Sequence, residues 1–496
     1  MGTQTIVLIV ILLYMVATVV LGLYLSNRKK QKAAKQSNDD FLLASKSLGP
    51  FVLATTLFVA NTGGASTIGV ANNVRTQGLS AAWYVIAAGV GFFVVSFIAP
   101  YFRRSRSSTV PQIVGKRYGK ACHVFTAFTS ITALFMATGA QVIGTSSIIS
   151  LLAGINFNTA AVITTVIVIL YTMLGGYKSV VAANMLHIVS IIFGMLIALL
   201  VMVHNPVIGG FGALFAKANS MSATHPTGLN LLSMTAVGIP TIIGYIALYC
   251  FTFPTGQEIV QAYCSAKDGK SAKTGSIIAA FISAIFAIIP AMIGLIAVTF
   301  IDGFVTQGSG RNAMAEAAIN FAPPVIAGIV LASLVAATMS SASGNMIGTA
   351  TMFTNDVFRP YINKGKKDEG KEILVSRLTM VVIGAIALFV ALVARNIISV
   401  MMAAFALRSA GPFAAFVCGL FYKNVTVRAG FLSILTGTVV AIIWIFVLVP
   451  AQVLGKFSGL AAMVPGGIVA FITIFVVSAI DKKLGVKPAP EIEFDT

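Results

Sequence analysis

Long runs of apolar residues alternate with short polar stretches from one end of the chain to the other. A helix that crosses a bilayer needs about 20 apolar residues, and these runs are close to that length. The pattern therefore predicts an all-α integral membrane protein with about 13 transmembrane helices. The predicted spans lie near residues 4–26, 51–75, 81–102, 123–153, 159–174, 180–204, 235–256, 276–301, 322–352, 378–395, 397–421, 429–450 and 460–480.

The composition supports a membrane protein and argues against an enzyme. Of the 496 residues, 57% are apolar and 9% are charged, and the mean hydropathy is +0.95. An ordinary soluble domain has about 25% charged residues, so the composition argues strongly against a soluble enzyme. The sequence also has no Cys/His cluster with zinc spacing, no phosphate-binding Gly-Lys-Ser/Thr loop and no Ser-His-Asp set in a loop. We therefore predict that the chain is not an enzyme.

The positive charge predicts an orientation in the membrane. The net charge is +19, and 27 of the 33 lysines and arginines fall in loops on one predicted side. Basic loops stay in the cytoplasm, so we predict a multi-pass protein of the cytoplasmic (inner) membrane with its N-terminus outside and its C-terminus inside. The bilayer, rather than a nucleic acid, is the expected partner of this charge, and no obligatory protein partner is evident. The predicted cytoplasmic segments are 27–49, 103–122, 175–179, 257–275, 353–377, 422–428 and 481–496.

Two spans contain residues that disfavour a continuous helix. The second span reads Asn61-Thr-Gly-Gly-Ala-Ser-Thr67, and the seventh ends Tyr249-Cys-Phe-Thr-Phe-Pro-Thr-Gly256. Unwound backbone at membrane depth is tolerated where protein or a polar cavity covers it. Interrupted helices in corresponding halves indicate an inverted-repeat transporter. The alternatives are close packing through small residues in the second span and an ordinary proline kink in the seventh.

The ninth span presents a polar helix face. Ala337, Ser340 and Ser341 lie at positions i, i+3 and i+4. Two hydroxyls and a carbonyl on this face could ligate a small hard cation, although membrane serines commonly bond to the i−4 carbonyl instead. Carboxylates are nearly absent from the predicted spans, with Glu258 at a cytoplasmic helix end and Asp356 in a loop. This disfavours a proton relay and favours a cation held by neutral oxygens.

Six segments then show a family resemblance. They are Phe41-Leu-Leu-Ala-Ser-Lys-Ser-Leu-Gly-Pro50, Thr109-Val-Pro-Gln-Ile-Val-Gly-Lys-Arg-Tyr-Gly119, Gly175-Gly-Tyr-Lys-Ser-Val-Val, Gln261-Ala-Tyr-Cys-Ser-Ala-Lys-Asp268, Met339-Ser-Ser341 running on to Asn355-Asp-Val-Phe-Arg-Pro360, and Val375-Ser-Arg-Leu378. In this order they resemble the sodium/solute symporter family, which includes bacterial proline, pantothenate, sialic acid and sugar transporters. The resemblance covers nearly the whole chain.

The resemblance implies a LeuT-type fold with a five-plus-five inverted-repeat core. A leading helix (1–26) would precede the repeats at 51–204 and 235–421. Two trailing helices (429–480) and a cytoplasmic tail (481–496) would follow. The interrupted spans become the first helices of the two repeats.

The resemblance also implies a sodium site made of neutral oxygens. It falls on Val59, Thr62, Ala337, Ser340 and Ser341. Oxygen ligands suit Na⁺, a hard cation. Some members hold a second sodium with an Asp where Asn184 stands and a serine where Gly344 stands. Because both of those ligands are replaced, we expect one Na⁺ per substrate.

Substrate contacts are predicted from position beside the breaks. They are Asn61, Ser66, Gln141, Tyr249, Thr252 and Phe253. Arg408 is added because the eleventh span places it well inside a helix, where the sequence offers no intramembrane carboxylate to pair with it. A guanidinium binds a carboxylate bidentately, so we expect a solute with a carboxylate or similar anionic group. The alternative is that Arg408 lies in an outer vestibule or lines a hydrated path.

These features together predict a sodium-coupled secondary active symporter. It would import a small organic solute with Na⁺ by alternating access. The alternatives are a proton-coupled or uncoupled carrier on the same fold, and a transporter-like sensor of solute.

Overall fold

The computed structural model describes residues 5–14, 16–17, 20, 47–105, 107, 109–225, 228–307, 311–366, 368–394, 396–453, 455 and 460–492. Within these ranges the secondary structure is helical, apart from one isolated bridge between Leu48 and Ala266. The prediction of an all-α protein is therefore confirmed.

The helices follow the apolar runs in chain order. They are α1 Thr5–Tyr14, α2 Pro50–Asn61, α3 Val70–Gln77, α4 Trp83–Val95, α5 Ala99–Arg104, α6 Val110–Tyr118, α7 Lys120–Ala153, α8 Phe157–Val189, α9 Met195–Val203, α10 Phe211–Thr224, α11 Ile239–Thr252, α12 Gln257–Cys264, α13 Gly269–Phe286, α14 Ile288–Phe300, α15 Phe304–Gln307, α16 Ala313–Phe321, α17 Pro324–Met352, α18 Glu369–Val393, α19 Ile397–Ser409, α20 Pro412–Phe421, α21 Val427–Ile443 and α22 Met463–Lys483. π-helical turns lie at Ala65–Gly69, Ser190–Gly194, Phe353–Ile362 and Trp444–Leu448, and a 3₁₀ turn lies at Gly78–Ala82.

Short polar side chains begin many of these helices. Asp268 accepts a hydrogen bond from Ser271 N–H at the start of α13, and Asp368 accepts one from Lys371 N–H at the start of α18. Thr426 caps α21 in the same way. Such caps satisfy N–H groups that the first helical turn leaves without partners. They mark where the chain enters an apolar run.

The helices form a central group and an outer ring. In the most apolar part of the α17 segment, 83% of the residues are buried. The buried share is only 22% for α18, 28% for the α21 segment and 33% for α22. The outer helices expose large apolar side chains such as Phe389 and Val393. An apolar surface of this kind belongs against lipid. The centre of the bundle, around α17, is where a protected site can form.

The number of membrane spans stays a prediction. Among the described residues, seven helices are long and apolar enough to cross a bilayer, or nine if each of two bent pairs is one span. Shorter apolar helices lie at Thr5–Tyr14, Pro50–Asn61, Phe157–Leu170 and His187–Val203. The structure also differs from the prediction at 175–179, since α8 continues through the expected loop. The two glycines there weaken a helix, but no proline stops it.

Candidate functional site

The second predicted span is interrupted at its polar stretch. α2 ends at Asn61, the backbone of Thr62 has φ −91° and ψ 74°, and a π-helical turn resumes at Ala65. The Thr62 N–H bonds to the carbonyls of Phe58 and Val59 at 2.8 and 3.2 Å. The sequence-predicted break is therefore present.

Gln141 of α7 fills the space beside this break. Its Oε1 accepts a hydrogen bond of 2.7 Å from the Gly64 N–H. A Cβ atom at Gly63 would lie 2.5 Å from that same oxygen, and one at Gly64 would lie 3.2 Å from Thr338 Cγ2. Glycine at both positions lets α7 and α17 approach the unwound backbone closely. Unwinding and small-residue packing, posed as alternatives from the sequence, therefore occur together.

The seventh predicted span is also interrupted where its proline and glycine predict. α11 ends at Thr252, α12 begins at Gln257, and the two axes differ by 49°. The expectation that residue 257 begins a cytoplasmic loop is wrong for 257–264, because the helix resumes after the break and most of its residues are buried. Glu258 accordingly lies in the first turn of the half-helix that follows the break.

A third break, which the sequence analysis missed, divides the eleventh predicted span. α19 and α20 meet at Ala410-Gly411 with a bend of 43°. Proline in the first turn of α20 and the preceding glycine were the available signal. A Cβ at Gly411 would lie 2.1 Å from the Ile434 carbonyl oxygen, so α21 packs directly against the bend.

The first two breaks border one small central cavity. Its volume is about 20 Å³, which is room for about one water molecule. The predicted site residues that line it are Asn61, Ser66, Gln141, Tyr249 and Ser341. They come from four of the predicted spans. The structure thus brings together most of the substrate residues and one sodium residue, in a conformation closed around them.

The sodium set contains two hydroxyls that have no protein partner. Thr62 Oγ1 and Ser341 Oγ are buried and make no hydrogen bond. Ser340 Oγ instead donates to the Ala337 carbonyl at 3.1 Å. Val59 and Ala337 are fully or almost fully buried as well. Since a buried hydroxyl without a partner is costly, Thr62 and Ser341 fit the role of cation ligands.

Thr252 and Phe253 lie beside the second break but do not line the cavity. Thr252 Oγ1 donates to Ser409 Oγ at 3.5 Å. The Phe253 ring stacks on Phe92 with ring centroids 4.1 Å apart. Both side chains hold helices together in this conformation, and their contact with substrate stays a prediction.

Arg408 has an acidic partner that the sequence analysis did not find. Its Nη1 donates to Glu258 Oε2 at 2.8 Å, and its Nη2 lies 2.7 Å from Glu258 Oε1. The Arg408 side chain is 1% exposed and that of Glu258 is 13% exposed. The premise that no carboxylate is available to Arg408 is therefore wrong. It failed because the two residues are 150 positions apart in sequence and the sequence pattern places Glu258 at a cytoplasmic helix end, outside the predicted spans.

The positions of the two charges suit the helices that carry them. Glu258 is in the first turn of α12, and Arg408 is in the last turn of α19. A helix dipole favours an anion at its N-terminus and a cation at its C-terminus. Gly256 makes the approach possible, since a Cβ there would lie 2.7 Å from Arg408 Nη2. The pair therefore joins the second and third breaks.

A larger cavity lies about one helical turn away from the central one. Its volume is about 490 Å³. In α19, Ile397 lines this larger cavity and Met401 lines the central cavity, a rise of about 6 Å. The Arg311–Glu316 ion pair also lines the larger cavity, and its hydrogen bond raises the pKa of the Arg311 guanidinium. Arg408 does not line this larger cavity.

The predicted cation site has no cluster of ionisable ligands around it. No group of three or more His, Cys, Asp or Glu side chains suited to a metal occurs in the part of the chain that the structure describes. The side chain of Asn184, on which the expected stoichiometry partly depends, lies outside the described residues.

Known proteins share both sequence and fold with this chain. The model of the "Sodium:solute symporter family" matches residues 41–437. A sodium/proline symporter of Staphylococcus aureus is 24% identical over 96% of this chain and 93% of its own. A solved Na⁺-coupled sialic acid symporter, in a substrate-bound outward-open state, superposes with a TM-score of 0.77 at 18% identity, over 98% of this chain and 99% of its own. Mhp1 in an inward-facing conformation gives a TM-score of 0.53 at 14% identity, over 90% and 96%.

The two structural matches show the fold, and the family match adds the sequence evidence. The family match spans most of the chain and includes all three interrupted spans and the face of α17 that carries Ser340 and Ser341. The chain therefore belongs to the sodium:solute symporter family, whose members are multi-pass membrane transporters rather than enzymes.

Proposed function

We propose that the protein imports a small organic solute together with one Na⁺ by alternating access. The observation that carries this proposal is the pair of unpartnered hydroxyls, Thr62 Oγ1 and Ser341 Oγ. Ser341 lines the central cavity together with Asn61 and Gly63, the neighbours of Thr62 on either side. A cation between these segments would tie the break of α2 to α17.

In the proposed cycle, Na⁺ enters from the outer vestibule and binds Val59, Thr62, Ala337, Ser340 and Ser341. Bound Na⁺ favours the conformation in which the solute site is formed, which is a coupling of binding free energies between two sites. Solute then binds among Asn61, Ser66, Gln141 and Tyr249. The outer path closes, and Na⁺ and solute leave on the cytoplasmic side. The proposed orientation has the N-terminus outside and the C-terminus inside.

The membrane potential supplies a defined driving force for this cycle. One charge crossing a potential of about 100 mV releases about 2.3 kcal/mol. At about 1.4 kcal/mol per tenfold ratio, that supports roughly fifty-fold accumulation of solute. The Na⁺ concentration gradient adds to this value. A symporter with one Na⁺ is thus sufficient for uptake from dilute solution.

We still propose that the solute carries a carboxylate, but the structure gives no support to a contact between that carboxylate and Arg408. The guanidinium fork of Arg408 already meets Glu258. The unpartnered Nδ2 of Asn61, which lines the central cavity, is a better placed donor for a carboxylate.

Uptake into proteoliposomes tests the proposed function. Labelled candidate solutes should accumulate when Na⁺ is higher outside, and uptake should saturate. A proton-coupled carrier would respond to a pH gradient instead, an uncoupled carrier would only equilibrate, and a sensor would bind solute without flux. Uptake that ignores both the Na⁺ gradient and the membrane potential would contradict the proposal.

A further inference from the structure

The Glu258–Arg408 pair presents one of its two charges to the central cavity. Of the described residues that line this cavity, only Glu258 is charged. Arg408 is 1% exposed and lies behind the carboxylate, with its guanidinium 4.7 Å from the Phe405 ring centroid. The surface offered to a solute is therefore a carboxylate and not a guanidinium.

The carboxylate keeps hydrogen-bonding capacity in this arrangement. A carboxylate has about four lone-pair sites; Arg408 Nη1 donates to Oε2, and Arg408 Nη2 lies 2.7 Å from Oε1 without forming a hydrogen bond. The remaining sites can accept only from a donor such as an N–H or O–H group.

Charge balance narrows the solute further. Glu258 and Arg408 are neutral as a pair, and the proposed Na⁺ brings a positive charge to the same region. A solute with a net positive charge would add an unbalanced charge to a buried site, which is costly. A carboxylate on the same solute offsets the ammonium charge, so a zwitterion adds no net charge beyond that of Na⁺. Its anionic end has Asn61 Nδ2, a buried donor without a partner, on the wall of the same cavity.

We propose that Glu258, paired with Arg408, is a substrate-binding residue that accepts hydrogen bonds from the ammonium group of a zwitterionic solute, an amino or imino acid. The proposal rests on the proposed transport function and specifies its substrate class. The solute carboxylate lies toward Asn61 and the Na⁺ ligands. Glu258 is in the first turn of α12 and Arg408 is in the last turn of α19. A solute bound to the Glu258 carboxylate therefore contacts the ion pair that joins the second and third breaks.

The first test compares matched probes on the purified, unaltered protein. The probes are the twenty common amino acids and the carboxylic acids in which hydrogen replaces each amino group. Thermal stabilisation, which reports ligand binding, is measured with and without Na⁺. We expect stabilisation by at least one amino acid and at least tenfold weaker binding of its desamino partner. Equal or tighter binding of a desamino acid overturns the proposal.

The second test removes the pair without leaving a lone charge. Glu258→Gln alone leaves the buried Arg408 without an oppositely charged partner. The informative variant is therefore Glu258→Gln/Arg408→Gln, because replacing both members of a buried pair avoids an uncompensated charge. We expect at least a tenfold loss of amino acid affinity, with ²²Na⁺ binding measured without solute retained. A double variant with unchanged affinity and unchanged preference for amino over desamino acids overturns the proposal.

The chain offers a matched control in a second arginine–glutamate pair. Arg359 Nε and Nη2 each donate to a Glu372 carboxylate oxygen at 2.7 Å, outside the central cavity. Arg359→Gln/Glu372→Gln should leave amino acid affinity within twofold of the unaltered protein. Absence of ²²Na⁺ binding and of Na⁺-dependent uptake in the unaltered protein would instead contradict the proposed function. The amino against desamino comparison made without Na⁺ still decides the role of Glu258.

Discussion

Ser341→Ala is expected to change stability and sodium affinity in opposite directions. Ser341 Oγ is buried without a hydrogen-bond partner, and an unsatisfied buried hydroxyl costs about 1–3 kcal/mol. Removing it should therefore stabilise the Na⁺-free protein by about 1 kcal/mol or more. A hydrogen bond to a charged group contributes about 1.5–3 kcal/mol, and we take the same range for a hydroxyl ligand of Na⁺. Its loss then weakens Na⁺ binding roughly ten- to a hundredfold.

The assay pairs two measurements on the same samples. The first is the thermal midpoint of unfolding in Na⁺-free buffer, and the second is the ²²Na⁺ dissociation constant. Ser333→Ala is the control on the same helix, since Ser333 is also buried but its Oγ donates to the Ile329 carbonyl at 2.7 Å. The control should lose a satisfied hydrogen bond, gain no stability and keep its Na⁺ affinity.

A packing role for Ser341 predicts the reverse pattern. Lower stability without Na⁺, together with Na⁺ affinity within twofold of the unaltered protein, would refute the reasoning. The double variant Ser340→Ala/Ser341→Ala gives a second check, because unchanged Na⁺ dependence of uptake there would remove both residues from the site.

Three further predictions follow from the site. A reversal-potential measurement should give one Na⁺ per solute, and a value of two would contradict the expected stoichiometry. Arg408→Gln should destabilise the protein by about 3–5 kcal/mol because it leaves Glu258 unpaired. In the same unfolding assay, Glu258→Gln/Arg408→Gln should recover most of that stability, and equal losses in the two variants would contradict the prediction. Gly63→Ala should lower the thermal midpoint and abolish most uptake, because its Cβ would lie 2.5 Å from Gln141 Oε1. Adding Gln141→Ala should restore the thermal midpoint. Normal uptake by Gly63→Ala alone would show that the break tolerates a side chain.

Local sequence signals predicted the parts of the fold that depend on local chemistry. Apolar runs predicted the helices, and Gly63-Gly64 and Pro254 predicted two breaks, because glycine and proline act on the backbone where they stand. Gly411-Pro412 is a local signal of the same kind, and it lies at the third break.

Contacts between distant segments were beyond the sequence patterns. The ion pair between Glu258 and Arg408 depends on how two bent helices meet, and nothing near either residue specifies that meeting. The bond from Gly64 N–H to Gln141 Oε1 is similar, since it needs α7 to pass the break of α2. The repeat boundaries and the N-outside orientation remain predictions.

The small volume of the central cavity has a consequence for measured affinities. A space of about 20 Å³ cannot hold an organic solute, so binding requires a conformer in which the walls stand farther apart. The apparent dissociation constant is then the intrinsic constant divided by the fraction of molecules in that conformer. Na⁺ that raises this fraction tightens solute binding without touching the solute. Varying Na⁺ should therefore shift the solute concentration for half-maximal uptake, and a mutation that loosens the cavity walls should reproduce the shift in the absence of Na⁺.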